Sequence, residues 1–457
     1  MIVALTVVIL AAGQGKRMNS DLPKVLQPLA GRPLLAHVIA TARELEPDAI
    51  NIVYGHGGEA VREVFADADL NWSHQSEQLG TGHALAQALP FIPDDHRILV
   101  LYGDVPLVRA ESLKPLLVHG SGDEVVLLTA YVDEPQGYGR ILRNEQREVS
   151  GVIEEQDASV TELAISEVNT GLMRLPSGPL RGWLDNLSNS NVANEYYLTD
   201  AVVKASGDGY EVTGLPVADP SEGLGINNRN QLAVAERLLQ RRYADALMEQ
   251  GATLVDPSRF DLRGKLTVGR DVFIDAGVVF EGEVELGDRV HIGPNTVISN
   301  SKLGDDCLIH PNSVLAGVIA GSQCEIGPFA RLRPGTEFSE RVKVGNFVEV
   351  KASSVAADSK MNHLTYVGDS SIGGSVNVGA GTIVCNYDGA VKSRTVVGDG
   401  AFIGSGVMLV APVEVGSGAT IGAGSTVTKD APAQKLTVAR ARQTVVKGWK
   451  RPRKSKK

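Results

Sequence analysis

Aliphatic residues recur at every sixth position near the C-terminal end: Val397, Ile403, Leu409, Val415, Ile421 and Val427, four of them followed directly by glycine. A helix repeats at about 3.6 residues and a half-buried strand at about 2, so this period belongs to neither. It marks an internal repeat, and the solenoid built from hexads is a parallel β-helix in which each hexad forms one short flat face of a coil. The first residue points inward and stacks on its equivalents above and below. Ala401, Val407, Val413, Ala419 and Ser425 hold the fifth position and fit the tight interior beside it. Hexads start near Val268 and continue through Ile274, Phe280, Leu286, Ile292 and Ile298. They slip register at Leu303, Ile309 and Leu315, then resume at Ile326 and Leu332. Two interruptions, 353–366 and 385–395, read as loops leaving the corners of the coil, where function often sits.

The first ~225 residues show a different pattern, short aliphatic runs alternating with longer mixed segments. Strands are expected at 2–10, 50–54, 98–102 and 124–131, and helices at 34–44 and 82–89. This is the pattern of a Rossmann-like α/β sheet, which binds ligands beyond the carboxyl ends of its strands. Between the halves, 229–250 contains no Gly or Pro, and Leu232, Ala235, Leu238, Leu239, Tyr243, Ala246 and Leu247 recur at helical spacing. A linking helix and a further helix of the first domain fit equally. The division adopted is an α/β domain at 1–228, a linker helix at 229–250, and a left-handed β-helix domain with a basic tail at 251–457.

Composition narrows the class. Hydrophobic content of 43% and charged content of 21% describe a globular chain, and 50 glycines suit a Gly-punctuated solenoid. A net charge of −10 argues against a nucleic-acid binder. Three cysteines, Cys307, Cys324 and Cys385, form no CxxC pair, which fits free thiols in a reducing compartment. The apolar start lacks a basic leader and runs into the turn Gly13-Gln14-Gly15, so a buried strand is expected there rather than a signal peptide. No stretch is long enough to span a bilayer. A cytoplasmic protein without membrane or nucleic-acid partners is the expectation. The tail carries Lys447, Lys450, Arg451, Arg453, Lys454, Lys456 and Lys457, a solvated extension or an anion-facing one.

Candidate chemistry appears in both halves. Leu10-Ala11-Ala12-Gly13-Gln14-Gly15-Lys16-Arg17-Met18, followed by Pro23-Lys24, puts glycines and cations at the end of a strand. Glycines admit phosphate oxygens to backbone N–H groups, and Arg17 and Lys24 can neutralise charge that accumulates during transfer. A Walker loop would need Gly-Lys-Ser/Thr, and the dinucleotide fingerprint a third glycine. Asp104, beyond another strand end, is a hard oxygen ligand of the kind Mg²⁺ takes beside phosphates. In the second half His363 is not at an inward aliphatic position. Arg333, Lys351 and Tyr366 would be its neighbours on successive coils if one turn takes three hexads, and two cations with a phenol suit a phosphate monoester.

The first stretch resembles the signature of the sugar-nucleotide pyrophosphorylases, in which a sugar 1-phosphate attacks the α-phosphate of a nucleoside triphosphate. That resemblance implies that Leu10, Ala11, Ala12 and Gly13 belong to the nucleotide site, with Arg17 and Lys24 as catalytic cations. It assigns Gln75, Gly80 and Thr81 to the base, Tyr102 and Gly103 to the same site, and Asp104 with Asn227 to Mg²⁺. Gly139, Glu154 and Asn169 would hold the sugar. Nearly the whole chain is similar to the family of bifunctional N-acetylglucosamine-1-phosphate uridylyltransferases and glucosamine-1-phosphate acetyltransferases. The family implies His363 as general base, and Arg333, Lys351, Tyr366 and Asn377 around glucosamine 1-phosphate. Ala380, Asn386, Tyr387, Ser405, Ala423 and Arg440 would line the acetyl-coenzyme A site. It further implies UTP as co-substrate, a homotrimer, and supply of UDP-N-acetylglucosamine for peptidoglycan and lipopolysaccharide. A single-activity pyrophosphorylase with a structural or regulatory β-helix is the alternative. An interaction protein with a degenerate first domain is opposed by the intact Gly13–Met18, Lys24 and Asp104 set.

Overall fold

The computed structural model describes residues 4–55, 57–66 and 69–452. Ile2 and Val3 of the expected first strand, and Arg453, Lys454, Lys456 and Lys457 of the basic tail, lie outside the described residues. The chain forms two compact units, Met1–Leu239 and Gln240–Lys457. The division falls inside a single helix, Arg229–Glu249.

In the first unit the strands run in the order Val212–Pro216, Val125–Tyr131, Glu167–Pro176, Arg97–Tyr102, Leu5–Leu10, Ala49–Tyr54 and Asn71–His74. All pair in parallel except Glu167–Pro176, which is antiparallel to both neighbours. Leu5–Leu10 is apolar except for Thr6, whose hydroxyl meets His96 Nδ1 at 2.9 Å, because both sheet faces are covered, as parallel sheets require. Its alternate residues feed different cores: Val8 joins Leu85, Val100 and Leu127 on one face, while Val7 and Ile9 join Val38, Leu99 and Leu101 on the other. The expected helices form at Leu34–Arg43 and Thr81–Ala88. Leu10 and Tyr102 end side by side, and the Gly103 N–H donates to the Leu10 carbonyl at 2.9 Å. The two loops that carry Gly13 and Asp104 therefore emerge together.

The second unit is a left-handed parallel β-helix of three faces per coil. Lys343–Asn346, Glu349–Lys351 and Ser354–Val355 make one turn, and Lys360–His363 begins the next. The hexad positions are its interior. Ile274, Phe280, Ile292, Ile298, Ile309, Leu315, Ile326, Leu332, Ile403, Val415 and Ile421 are all essentially inaccessible, and Ala401, Val407, Ala419 and Ser425 fill the fifth-position gaps. Register explains the slip. Ile274 pairs with Ile292 eighteen residues on, but Leu286 pairs with Leu303 after seventeen, one residue fewer than three full hexads. From Ile372 to Val397 the offset grows to twenty-five, because 385–395 leaves the coil.

The expected loop at 353–366 is not one. Val355, Met361 and Val367 continue the hexad inside the coil and are buried, with strands at Ser354–Val355 and Lys360–His363. A methionine in the apolar slot and the polar run around it hid the repeat. His363 therefore stands on a regular strand end, not on a protruding segment.

Candidate active sites

In the first unit one cavity of about 390 Å³ is lined by Leu10, Ala11, Ala12, Gly13, Arg17, Lys24, Gln75, Gly80, Thr81, Tyr102, Asp104 and Asn227, all expected from sequence. Gln78 and Glu195 also line it and carried no sequence signal. Gly15 has φ +63°, and a Cβ there would lie 2.7 Å from the Lys24 Cβ, so glycine both makes the turn and lets Lys24 reach inward. The Lys24 ammonium donates to the Asp104 carboxylate and, at 3.1 Å, to the Asn227 amide oxygen. Asn227 reaches Asp104 because the Ile226 N–H donates to the Asp104 carbonyl at 2.9 Å. Two oxygens of the type that bind hard cations thus already converge on positive charge. Gln75 is pinned rather than free, its amide donating to the Gly80 carbonyl and meeting His83 Nδ1, both at 3.0 Å.

Gly139, Glu154 and Asn169 form a second cluster beside that cavity, not on its lining. The Asn169 N–H donates to the Gly139 carbonyl at 2.9 Å, and a Cβ on Gly139 would meet a Glu154 carboxylate oxygen at 3.5 Å. Burial pushes the Glu154 carboxyl above its ordinary range; a hydrogen bond from Thr199 opposes this, and the charges of Asp200, Asp157 and Glu195 add to it. Tyr102 links the cluster to the cavity, its hydroxyl raised well above normal by burial and then by Glu154.

In the second unit two files of residues run along opposite edges of one face of the coil. On one edge Asn346, His363, Ala380, Ser405 and Ala423 follow one another, joined by N–H donation from Leu364 to Asn346, Gly381 to His363, Gly406 to Ala380, and Gly424 to Ser405. The Arg440 guanidinium extends this file by donating to the Ala423 carbonyl at 2.6 Å. The other edge carries Arg333 and Lys351. Lys351 pairs in register with Gly368, and its carbonyl accepts from the Asp369 N–H at 3.1 Å. The segment 385–395 folds against this edge through the Thr395 N–H, which donates to the Asp369 carbonyl at 3.3 Å. Tyr366 aligns with Glu349 and not with Lys351, contrary to simple hexad counting. Its ring leans across Gly368 instead, where a Cβ would lie 2.4 Å from the hydroxyl. Arg333 is held by Glu349 at 2.9 Å. The Asn386 amide donates to Asp369, and Tyr387 bridges back to Lys392.

Lys392 was not legible beforehand. It lies beside Lys351, and a hydrogen bond between the two amines, which requires one of them neutral, together with the Lys351 charge holds its protonation below the usual lysine range. Two lysine side chains side by side suit an anion. Asn377 stands on a neighbouring face, paired with Lys360 and Phe402, away from both files. Among the described residues, no hydrogen bond joins His363 to Arg333, Lys351 or Tyr366; its ring meets Asn346. Cys307 and Cys324 are buried in the coil interior and Cys385 is half-buried.

Residues 7–161 match the model of the MobA-like NTP transferase domain. Residues 266–300 and 394–429 match that of the bacterial transferase hexapeptide of six repeats. A bifunctional GlmU protein from Alkalilimnicola ehrlichii is 56% identical over 449 residues, covering 98% of this chain and 97% of that one. The chain belongs to the bifunctional GlmU family. Relatives of the same name from Ralstonia nicotianae and a Janthinobacterium species are 53% and 54% identical over 453 residues, covering 99% of this chain and all of each relative. Both halves are matched at once, so the chain is a bifunctional enzyme with uridylyltransferase and acetyltransferase activity. The single-activity alternative gives way to that coverage. Among the described residues no helix is long and apolar enough to cross a membrane.

Proposed function

We propose that the second unit moves acetyl from acetyl-coenzyme A to the amine of glucosamine 1-phosphate, and that the first moves UMP from UTP to the N-acetylglucosamine 1-phosphate so formed. The observation that carries the first step is the file of His363, Ala380, Ser405, Ala423 and Arg440 along one edge, facing the cationic edge across one strip of coil. Arg333, Lys351, Lys392 and Tyr366 would hold the sugar phosphate, with Asn377 completing the sugar contacts. Asn386 and Tyr387, with the first file, would hold the thioester. The amine attacks the thioester carbonyl, forming C–N and breaking C–S. His363 takes the amine proton and returns it to the leaving thiolate. General-base assistance of this kind is worth about 10²–10⁴-fold. The reaction needs no enzyme nucleophile, so none of the cysteines is required.

In uridylyl transfer a phosphate oxygen of the sugar attacks the α-phosphorus of UTP and pyrophosphate leaves. Arg17 and Lys24 balance the charge of the reacting phosphates, while Gln75, Gly80 and Thr81 hold the base and Gly139, Glu154 and Asn169 the sugar. Leu10–Gly13 and Tyr102 line the same pocket, while Gly103 lies off its lining and would act through the hydrogen bond its N–H donates to the Leu10 carbonyl. Positioning and charge neutralisation supply the acceleration. Asp104 and Asn227 fit as the protein ligands of Mg²⁺, since their oxygens already converge on the Lys24 cation. Bound there, the ion would neutralise phosphate charge.

Assembly is part of the reading. Phe329 and Phe347 stack at 5.4 Å and, with Leu364, stay 49–60% exposed one residue on from the file that holds Asn346 and His363. Asn377 is remote from the other sugar-phosphate residues of its own chain. Both features support a homotrimer in which a neighbouring copy covers the apolar file and completes the pocket. The basic tail is suited to coenzyme A phosphates, and the substrates are those of a cytoplasmic enzyme supplying cell-wall precursors. His363→Ala tests the acetyl assignment: thiol release should fall at least a hundredfold with uridylyl transfer intact, and retained thiol release would overturn it.

A further inference from the structure

The coil below His363 carries a side chain that neither substrate site uses. Asn346 ends the strand Lys343–Asn346 and pairs in register with His363. Its amide oxygen lies 3.1 Å from His363 Nδ1. With the amide turned oxygen-first toward the ring, the oxygen can only accept, and this contact calls for a proton on Nδ1 and a lone pair on Nε2. The backbone supports this approach. The Leu364 N–H donates to the Asn346 carbonyl at 3.1 Å, fixing the residue beside the ring. A Cβ on Gly345 would lie 2.1 Å from the Asn362 carbonyl oxygen, so these two strands stack in a way only glycine permits.

We propose that Asn346 is a positioning residue for acetyl transfer: its amide oxygen holds His363 as the Nδ1–H tautomer, leaving Nε2 as the proton acceptor. The inference rests on the reading of His363 as general base. A base oriented by a third group is the recurring logic of activated nucleophile sites. The neutral amide has a consequence of its own. It fixes the tautomer without the added stabilisation of an imidazolium that a carboxylate brings, so the ring gives its proton up readily to the departing thiolate.

The test uses the full chain with ¹⁵N-labelled histidine, the His363→Ala spectrum assigning the His363 signals. At a pH where the ring is neutral, wild type and Asn346→Asp should show Nδ1 protonated, because both offer an acceptor oxygen. Asn346→Ala should move the proton toward Nε2. Its acetyl-transfer kcat should fall about ten- to a hundredfold, with both KM values little changed, and Asn346→Asp should recover most of the loss. Unchanged uridylyl transfer reports an intact chain. An Asn346→Ala protein with wild-type tautomer and kcat overturns the inference, as does Asn346→Asp failing to restore turnover. If His363→Ala itself keeps acetyl transfer, the base reading falls first and this inference with it.

Discussion

At the Lys24 ammonium, oxygens from Asp104 and Asn227 meet, drawn from loops far apart in the chain. Lys24→Ala removes the cation that the proposed mechanism sets against the reacting phosphates and should lower uridylyl kcat about 10²–10³-fold, with acetyl transfer unchanged in a thiol-release assay. Glu154 gives a prediction in pH. Burial raises its pKa above the ordinary carboxylate value, so protonation begins at higher pH than for a free carboxyl. The KM for N-acetylglucosamine 1-phosphate should rise as the pH falls through that raised value, and Glu154→Gln should be flat over the same window. A wild-type KM that does not change with pH would contradict this. Residues legible in the sequence were those with chemistry in a short motif, such as the Gly13–Lys24 stretch. Lys392 escaped because its meaning comes from Lys351, forty-one positions earlier and brought beside it only by the coil.

Among elements, the hexad was readable because each repeat buries the same position, so one inward residue per face leaves a period no other structure shares. Leu409 is such a residue, 2% exposed. Leu409→Ala should cost about 2–5 kcal/mol, measured as a shift of the second unit's denaturation midpoint with the first unit's unchanged. The same regularity made 353–366 misleading. Polar residues around Met361 look like a break in composition, yet the coil needs only its inward position to be apolar, and Met361 supplies that. The true insertion, 385–395, was legible because its extra residues push the next aliphatics out of phase. Asp388 caps its turn, accepting from the Ala390 and Val391 N–H groups at 2.8 and 2.7 Å. Lys392→Ala on this turn should raise the KM for glucosamine 1-phosphate about tenfold or more and leave that for acetyl-coenzyme A near wild type.

The whole molecule joins two chemistries whose residues lie in separate compact units, Met1–Leu239 and Gln240–Lys457. Assembly belongs to this scale as well, since pairing between copies leaves little period in a sequence. The exposed Phe329–Phe347 stack became visible only when the coil put its two rings together. Phe347→Glu should lower the mass found by sedimentation equilibrium and reduce acetyl transfer while sparing uridylyl transfer. The claim most central to the account is that two independent sites perform two transfers. It is tested most directly by measuring thiol release and pyrophosphate release on wild type, His363→Ala and Asp104→Ala. Wild type should perform both reactions, His363→Ala only uridylyl transfer, and Asp104→Ala only acetyl transfer; one substitution abolishing both, or a wild type lacking either, would contradict it.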